Sequence, residues 1–214
     1  MCQGYASKAE DAYSAWEEAS LATAMADEAF EAAVHANAAA AAVMVLGVAG
    51  IAAASVSAVA TGGLTAGAVA AFVTWEAAAT AAAVAAAHAL EIARLGQQKA
   101  SIAENRSVDA LYKAIDAWCD CVAHQKSPRT TEPPPPLSEI QARVEGAEQA
   151  TADANEAVTE AEGATGEAED AVSEAEDAKE DFEDELEDGV EFSDEEAGVI
   201  NVSDAGPSDE ELYG

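Results

Sequence analysis

The 214-residue chain carries 42 Asp and Glu against 9 Lys and Arg, a formal charge of -33. That balance excludes a nucleic-acid binder, which needs a basic footprint, and suits basic partners or high-salt surroundings. Half of the residues are hydrophobic but only 5% are aromatic, and alanine dominates, so the core is thin and needs very close helix packing or burial supplied by other molecules.

The charge is uneven. Residues 1–136 hold 14 acids and 7 bases, a net of -7; residues 137–214 hold 28 acids and 2 bases, a net of -26. The scarcity of lysine beside so many acids resembles the composition of halophile proteins. Three cysteines, Cys2, Cys119 and Cys121, form no repeating framework and do not suggest a disulfide scaffold. The N-terminus has no basic segment followed by an apolar one, so no secretory signal peptide is expected.

Residues 5–35 read as an amphipathic helix. Counted in sevens, Ala9, Trp16, Thr23 and Phe30 share one position, and Tyr5, Ala12, Ala19, Ala26 and Ala33 share the position three later. This is an a/d seam with small residues at d. Between Glu31 and Glu76 there is no Asp, Glu, Lys or Arg. Gly62 and Gly63 divide that run with the strongest turn signal in the region. The flanking segments, Ala36–Ala60 and Leu64 to about Ala87, would each be about 37 Å long as helices, enough to cross a hydrocarbon layer of about 30 Å.

Amphipathic character returns over residues 91–125, where Leu111, Ile115, Trp118 and Val122 stand at helical spacing. Gly96 is a candidate kink, and Ser107 a candidate cap for a fresh helix. Four consecutive prolines, Pro133 to Pro136, favour a stiff extended spacer, and a linker is placed over 128–136. Over 137–188, Ala147, Ala154, Ala161, Ala168 and Ala175 recur every seven residues, as do Ala150, Ala157, Ala164, Ala171 and Ala178. Val144, Val158, Val172 and Phe182 widen this stripe. The other faces crowd like charges, which weaken a helix at i,i+4 spacing. Residues 189–214, acidic and rich in Gly, Ser and Pro, are expected to be disordered.

The layout is symmetric about Gly62-Gly63: uncharged arms near the turn, charged amphipathic arms beyond. It predicts an all-α fold: a long antiparallel helical hairpin over 1–127 with an apolar, Ala-rich tip over about 36–88, a separate acidic Ala-heptad helix over 137–188, and a disordered acidic tail. In an antiparallel hairpin, opposing residue numbers add to about 125. Phe30 then faces Leu95, Asn37 faces His88, and Glu76 faces the neighbourhood of Gly47 and Gly50. Small residues at such crossings let backbones approach, and Gly63-x-x-x-Gly67 has the same spacing. Gly47, Gly50 and Gly67 are therefore the expected tip-packing residues. Glu76, Asn37 and His88 are the expected intramembrane or buried polar groups, with Glu76 costly near a bilayer centre. All bases lie away from the tip, which fits both termini on the cytoplasmic side.

Little points to catalysis. Cys119-x-Cys121-x-x-His124 could suggest a metal site, but on a helix the two thiols point about 200° apart, and no second cluster completes four ligands. No nucleophile set, P-loop or dinucleotide fingerprint is present. The acidic run Glu174–Glu187 lacks EF-hand spacing. Tyr112-x-x-x-Asp116 is similar to a short pattern of specialised actinobacterial secretion substrates, without the accompanying Trp-x-Gly turn. In outline the chain resembles α-helical pore-forming proteins and viral or phage membrane-active components.

The expectation is a non-enzymatic protein without cofactor or metal, whose hairpin inserts into or is embedded in a membrane as a homo-oligomer. The alternative is a structural subunit of a viral or secretion-type assembly whose hairpins pack against copies of themselves. A third reading is an acidic chaperone or mimic that captures a basic client. The expected partners are copies of the chain, a lipid bilayer and a basic protein for the acidic arm. The expected location is a membrane or a large assembly such as a virion.

Overall fold

The computed structural model describes the backbone of residues 2–61, 66–128 and 131–197, with side chains described except over 46–61 and 188–197. Three α-helices make up this part of the chain, with no strand among the described residues: α1 (Gln3–Thr61), α2 (Ala66–Lys126) and α3 (Leu137–Ala197). Each is about 90 Å long at 1.5 Å per residue. Alanine, the best helix former, makes such lengths practicable. Proline appears in none of the three. The expected turn at Gly62 and Gly63 lies outside the described residues.

Cross-bonds give the directions. A disulfide joins Cys2 to Cys121, with Cα atoms 5.8 Å apart. Gln97 donates to the Asp27 carboxylate at 2.7 Å. These pairs, whose numbers add to 123 and 124, run α1 and α2 antiparallel. Arg143 pairs with Asp109 at 3.1 Å, Gly96 lies against the Ala157 backbone, and Gly67 lies under the Glu185 carboxylate. So α3 runs antiparallel to α2 and parallel to α1.

The acidic helix is therefore not a separate domain. It lies along both arms of the hairpin and completes a three-helix bundle. Its seam holds Ala147, Ala154, Ala161, Ala168 and Ala175, with Ile140, Val144, Val158 and Phe182, all buried. It also runs past the expected end at residue 188, to Ala197; residues 198–214 lie outside the described residues.

The core is a ladder of alanines. On α1, Ala12, Ala19, Ala26, Ala33 and Ala40 alternate with Ala15, Ala22, Ala29 and Ala36. On α2, positions 79, 82, 86, 89, 93, 96, 100, 103, 107, 110, 114, 117 and 121 are buried in strict alternation of three and four. This corrects one of the two seams expected on α1. Ala9, Trp16, Thr23 and Phe30 are only half-buried, one position off the inner row. The inner row of α1 up to Ala40 and of α2 from Ala79 holds small residues, and larger side chains flank it; the large residues that the bundle buries are Val43, Trp75 and, on α3, Ile140, Val144, Val158, Val172 and Phe182. Likewise Ile115 and Trp118 are exposed, and Ala114, Ala117 and Cys121 take the inner positions.

Gly96 and Ser107 do not break α2, which is one continuous helix. Gly96 sits in the seam, where an added Cβ would stand 3.4 Å from the Ala157 carbonyl oxygen. Ser107 is fully buried and donates to the Ala103 carbonyl at 2.8 Å. Thr151 and Thr165 satisfy their buried hydroxyls in the same way, on Ala147 and Ala161. These i−4 bonds let small polar residues replace alanine without an unmade hydrogen bond.

The base of the bundle is pinned by several kinds of contact. Besides the disulfide, the Tyr5 hydroxyl donates to the Pro135 carbonyl at 2.7 Å, and Leu137 packs over Gly4. Thr131 returns a hydroxyl bond to the Ser127 carbonyl at 2.9 Å. The linker is thus tied to α1 through Tyr5 and to the end of α2 through Ser127 and His124.

Because the disulfide closes 119 residues of chain, loop entropy assigns it roughly 4–5 kcal/mol. Denaturant unfolding should move to a clearly lower midpoint on reduction or in Cys2→Ser, while Cys119→Ser should leave the midpoint unchanged.

Candidate functional site

With alanine inside, the larger apolar side chains lie outside. Leu21 is 62% exposed, Val45 68%, Val84 66% and Leu95 51%; Ile102, Ile115 and Trp118 are also exposed. A soluble domain normally places such residues in its core, where burying each one contributes about 1.5–3 kcal/mol. Here that burial is left unused by the chain itself.

The outward residues are not spread evenly. Almost all of the exposed large hydrophobics belong to α1 and α2; on α3 the only one among the described residues is Leu137, at its base. The outer surface of α3 is instead carboxylate. Residues 167–187 carry 12 acids and one base, a net of -11. Toward the tip the rod therefore has an apolar side, made by the outer faces of α1 and α2, and an acidic side, made by α3; nearer the base the outer faces of α1 and α2 mix exposed apolar residues with charged ones.

Near the tip this contrast is sharpest. No Lys or Arg occurs between Lys8 and Arg94, so the far half of α3 lies against arms that offer it no cation. Two features fasten it there. Phe182 is buried between Phe72, with ring centroids 5.6 Å apart, and Trp75, at 6.4 Å and nearly parallel. The Glu185 carboxylate sits at Gly67 in the first turn of α2, where the helix dipole favours an anion. Asp181, Asp184, Thr74 and Ala178 line the shallow, acidic groove beside it.

Trp75 is 3% exposed, and its indole Nε1 meets no acceptor, the one such buried side-chain atom among the described residues. Leaving a buried donor unpaired costs about 1–3 kcal/mol. The packing of Phe182 is thus achieved against a penalty.

The residues singled out in sequence fall as follows. Gly67 lies under the Glu185 carboxylate of α3, and the stretch of α1 nearest the tip lies outside the residues whose side chains are described. Gly47 and Gly50 lie within α1, but their surroundings lie outside the described residues. Glu76 and His88 are exposed and Asn37 is half-buried, so the chain's own packing does not bury them. The Glu76 carbonyl accepts the Thr80 hydroxyl at 2.8 Å. Its neighbours on the outer face, Val69, Val73 and Val84, are exposed with it.

Cys121 is consumed in the disulfide and His124 turns to the Thr131 carbonyl, so the Cys-x-Cys-x-x-His group is not a metal site. No cluster of three or more metal-ligating side chains occurs among the described residues. The sequence reading missed the disulfide, although an antiparallel sum near 125 already put Cys2 within half a turn of Cys121. At the same end Lys8 donates to Asp11 at 2.7 Å. That bond, with weaker contributions from Glu148 and Glu145 on α3, holds its pKa above the ordinary lysine value. A hydrogen bond to Glu17 likewise raises the pKa of the Tyr13 phenol.

By length and composition α2 is apolar enough to cross a membrane, and only 22% of its most apolar 18-residue window is buried inside the chain. No family model matches this sequence, no curated protein matches it, and no solved structure matches its fold.

The inverted core makes opposite predictions for neighbouring positions. Ala93→Leu, in the seam, should destabilise the isolated chain by about 1–3 kcal/mol through overpacking. Leu95→Ala, on the outer face, should change its stability by less than about 0.5 kcal/mol. Urea unfolding of the two variants checks this.

Proposed function

We propose that the protein is a non-enzymatic, membrane-inserting helical hairpin that acts as a homo-oligomer, with the apolar faces of α1 and α2 turned to lipid at the tip and to other copies nearer the base. The observation that carries this reading is the arrangement of α1 and α2: their inner rows are alanine apart from a few residues such as Val43 and Trp75, while Leu21, Val45, Val69, Val73, Val84, Leu95, Ile102, Ile115 and Trp118 are exposed. Small residues between helices and large apolar ones around them suit a lipid-facing or copy-facing bundle, where close backbone approach drives helix packing.

The length of the rod accounts for the two environments. A bilayer core is about 30 Å thick, roughly a third of each helix. The uncharged stretch of α2 before Arg94 supplies that much, interrupted only by Glu76 and Glu91. Exposed Ile102, Ile115 and Trp118 lie too far toward the base for the same layer, and neighbouring copies would cover them. Glu76 then faces a shielded polar path inside the oligomer rather than lipid. The acidic side keeps the particle soluble before insertion and presents carboxylates to a basic protein.

The same exposed base residues favour a second reading, a structural subunit of a viral or secretion-type assembly in which copies cover the whole apolar side. The disulfide suits either reading outside a reducing cytosol. Lipid separates them. Liposome flotation should carry the full chain upward and survive carbonate extraction, and Val73→Glu with Val84→Glu, on a stripe roughly 60–80° around the helix from Glu76, should abolish it by adding about 2.5–3.5 kcal/mol per charge. A chain that never floats, and forms monodisperse particles without lipid by light scattering, would replace the membrane reading with the assembly.

A further inference from the structure

Both halves of α3 pack through the same alanine row, but they differ in their cross-links. The near half is fixed by Arg143–Asp109, by the buried Ile140 and Val144, and by the linker bond from Tyr5. The far half is held by packing, through alanines, Val172, Leu186 and Phe182, and by the Glu185 carboxylate at Gly67. Its one ion pair among the described residues, Lys179–Glu183 at 2.7 Å, is internal to α3. Like charges repeat at i,i+4 in 170/174, 176/180, 177/181, 180/184 and 181/185, each weakening the helix.

Two glycines stand between the halves. Gly163 and Gly166 lie on the outside of α3, and a Cβ at either would meet nothing within 4 Å. Gly96, by contrast, has a packing partner. Glycine in a helix interior is destabilising relative to alanine, and at these two positions no contact compensates. Beyond them, the closed arrangement also leaves Trp75 Nε1 without an acceptor, a penalty that water would remove on opening.

We propose that residues 167–187 form a strap that masks one face of the hairpin tip and opens about Gly163 and Gly166 when salt too dilute to screen its carboxylates leaves the charges to repel. The base, clamped by the disulfide and by the near half of α3, stays assembled. Opening uncovers the alanine face of the tip and exposes Phe72 and Trp75. Only the use made of that uncovered tip rests on the membrane reading.

The test uses full-length protein with Trp16→Phe and Trp118→Phe, so that fluorescence reports Trp75 alone. Lowering the salt should shift the emission to the red and admit a soluble quencher while urea resistance of the base persists, and poly-lysine added at low salt, by neutralising the carboxylates, should reverse the shift. Gly163→Ala with Gly166→Ala should lower the open fraction at a given salt at least about ten-fold. Phe182→Ala should raise it. Emission that stays blue at low salt, or glycine replacements that leave the transition unmoved, would overturn the strap. Flotation of the same proteins separates the two readings. Opening without flotation retains the strap and removes membrane insertion; flotation with Trp75 still buried in solution, and with no effect of the glycine replacements, does the reverse.

Discussion

Everything in this bundle follows from helices that meet on alanine. A methyl group contributes little burial, about 0.8 kcal/mol, so three alanine seams cannot match the burial of a leucine core of the same length. They do let the backbones come close, and close approach is intolerant of size. The ladder Ala79, Ala82, Ala86, Ala89, Ala93 leaves no room for a branched chain. Among the described residues, Leu21, Val34, Val45, Val69, Val73, Val84, Leu95, Ile102 and Ile115 of α1 and α2 stand on the outside of this ladder, and the outer surface inherits the hydrophobicity that the core declines.

That displacement explains why the third helix has the composition it has. Two arms with apolar outer faces and no cation between Lys8 and Arg94 would associate through any uncovered side. Covering one side in cis with a helix whose own outer face is carboxylate converts a hairpin prone to aggregate into a two-sided rod. The same alanine period that lets α3 dock makes its docking weak, because alanine against alanine contributes little per turn. Phe182 against Phe72 and Trp75 is the exception, placed at the far end where its effect on closure is largest.

Much of this architecture was legible in the residues, and the part that was not has a common cause. The sevenfold alanine repeat of α3 places its inner row directly, since heptad spacing marks one helix face regardless of partner. The assignment of Trp16 and Phe30 to the α1 seam, and of Ile115 and Trp118 to that of α2, followed the usual rule that the largest apolar residue points inward. It failed because the rule presumes a core wide enough for such residues. Gly96 and Ser107 were ambiguous for a related reason: a break signal and a close-packing residue look alike until the partner, here Ala157, is known. The tertiary placement of α3 escaped because four prolines and a sudden rise in acidity mark a boundary of composition, and a boundary of composition need not be a boundary of structure.

Cys2 and Cys121 show how the two ends of the rod divide the labour. At the base the chain uses a covalent bond, the Tyr5–Pro135 hydrogen bond and an ion pair, all insensitive to small changes in the alanine seams. At the tip it uses a single ring, an unpaired indole N–H and an anion at a helix N-terminus. A gradient of this kind confines opening to one end. The base is cross-linked by a disulfide and polar bonds, whereas the far half of α3 is held by packing, so a perturbation felt by the whole acidic face is answered where no cross-link resists it.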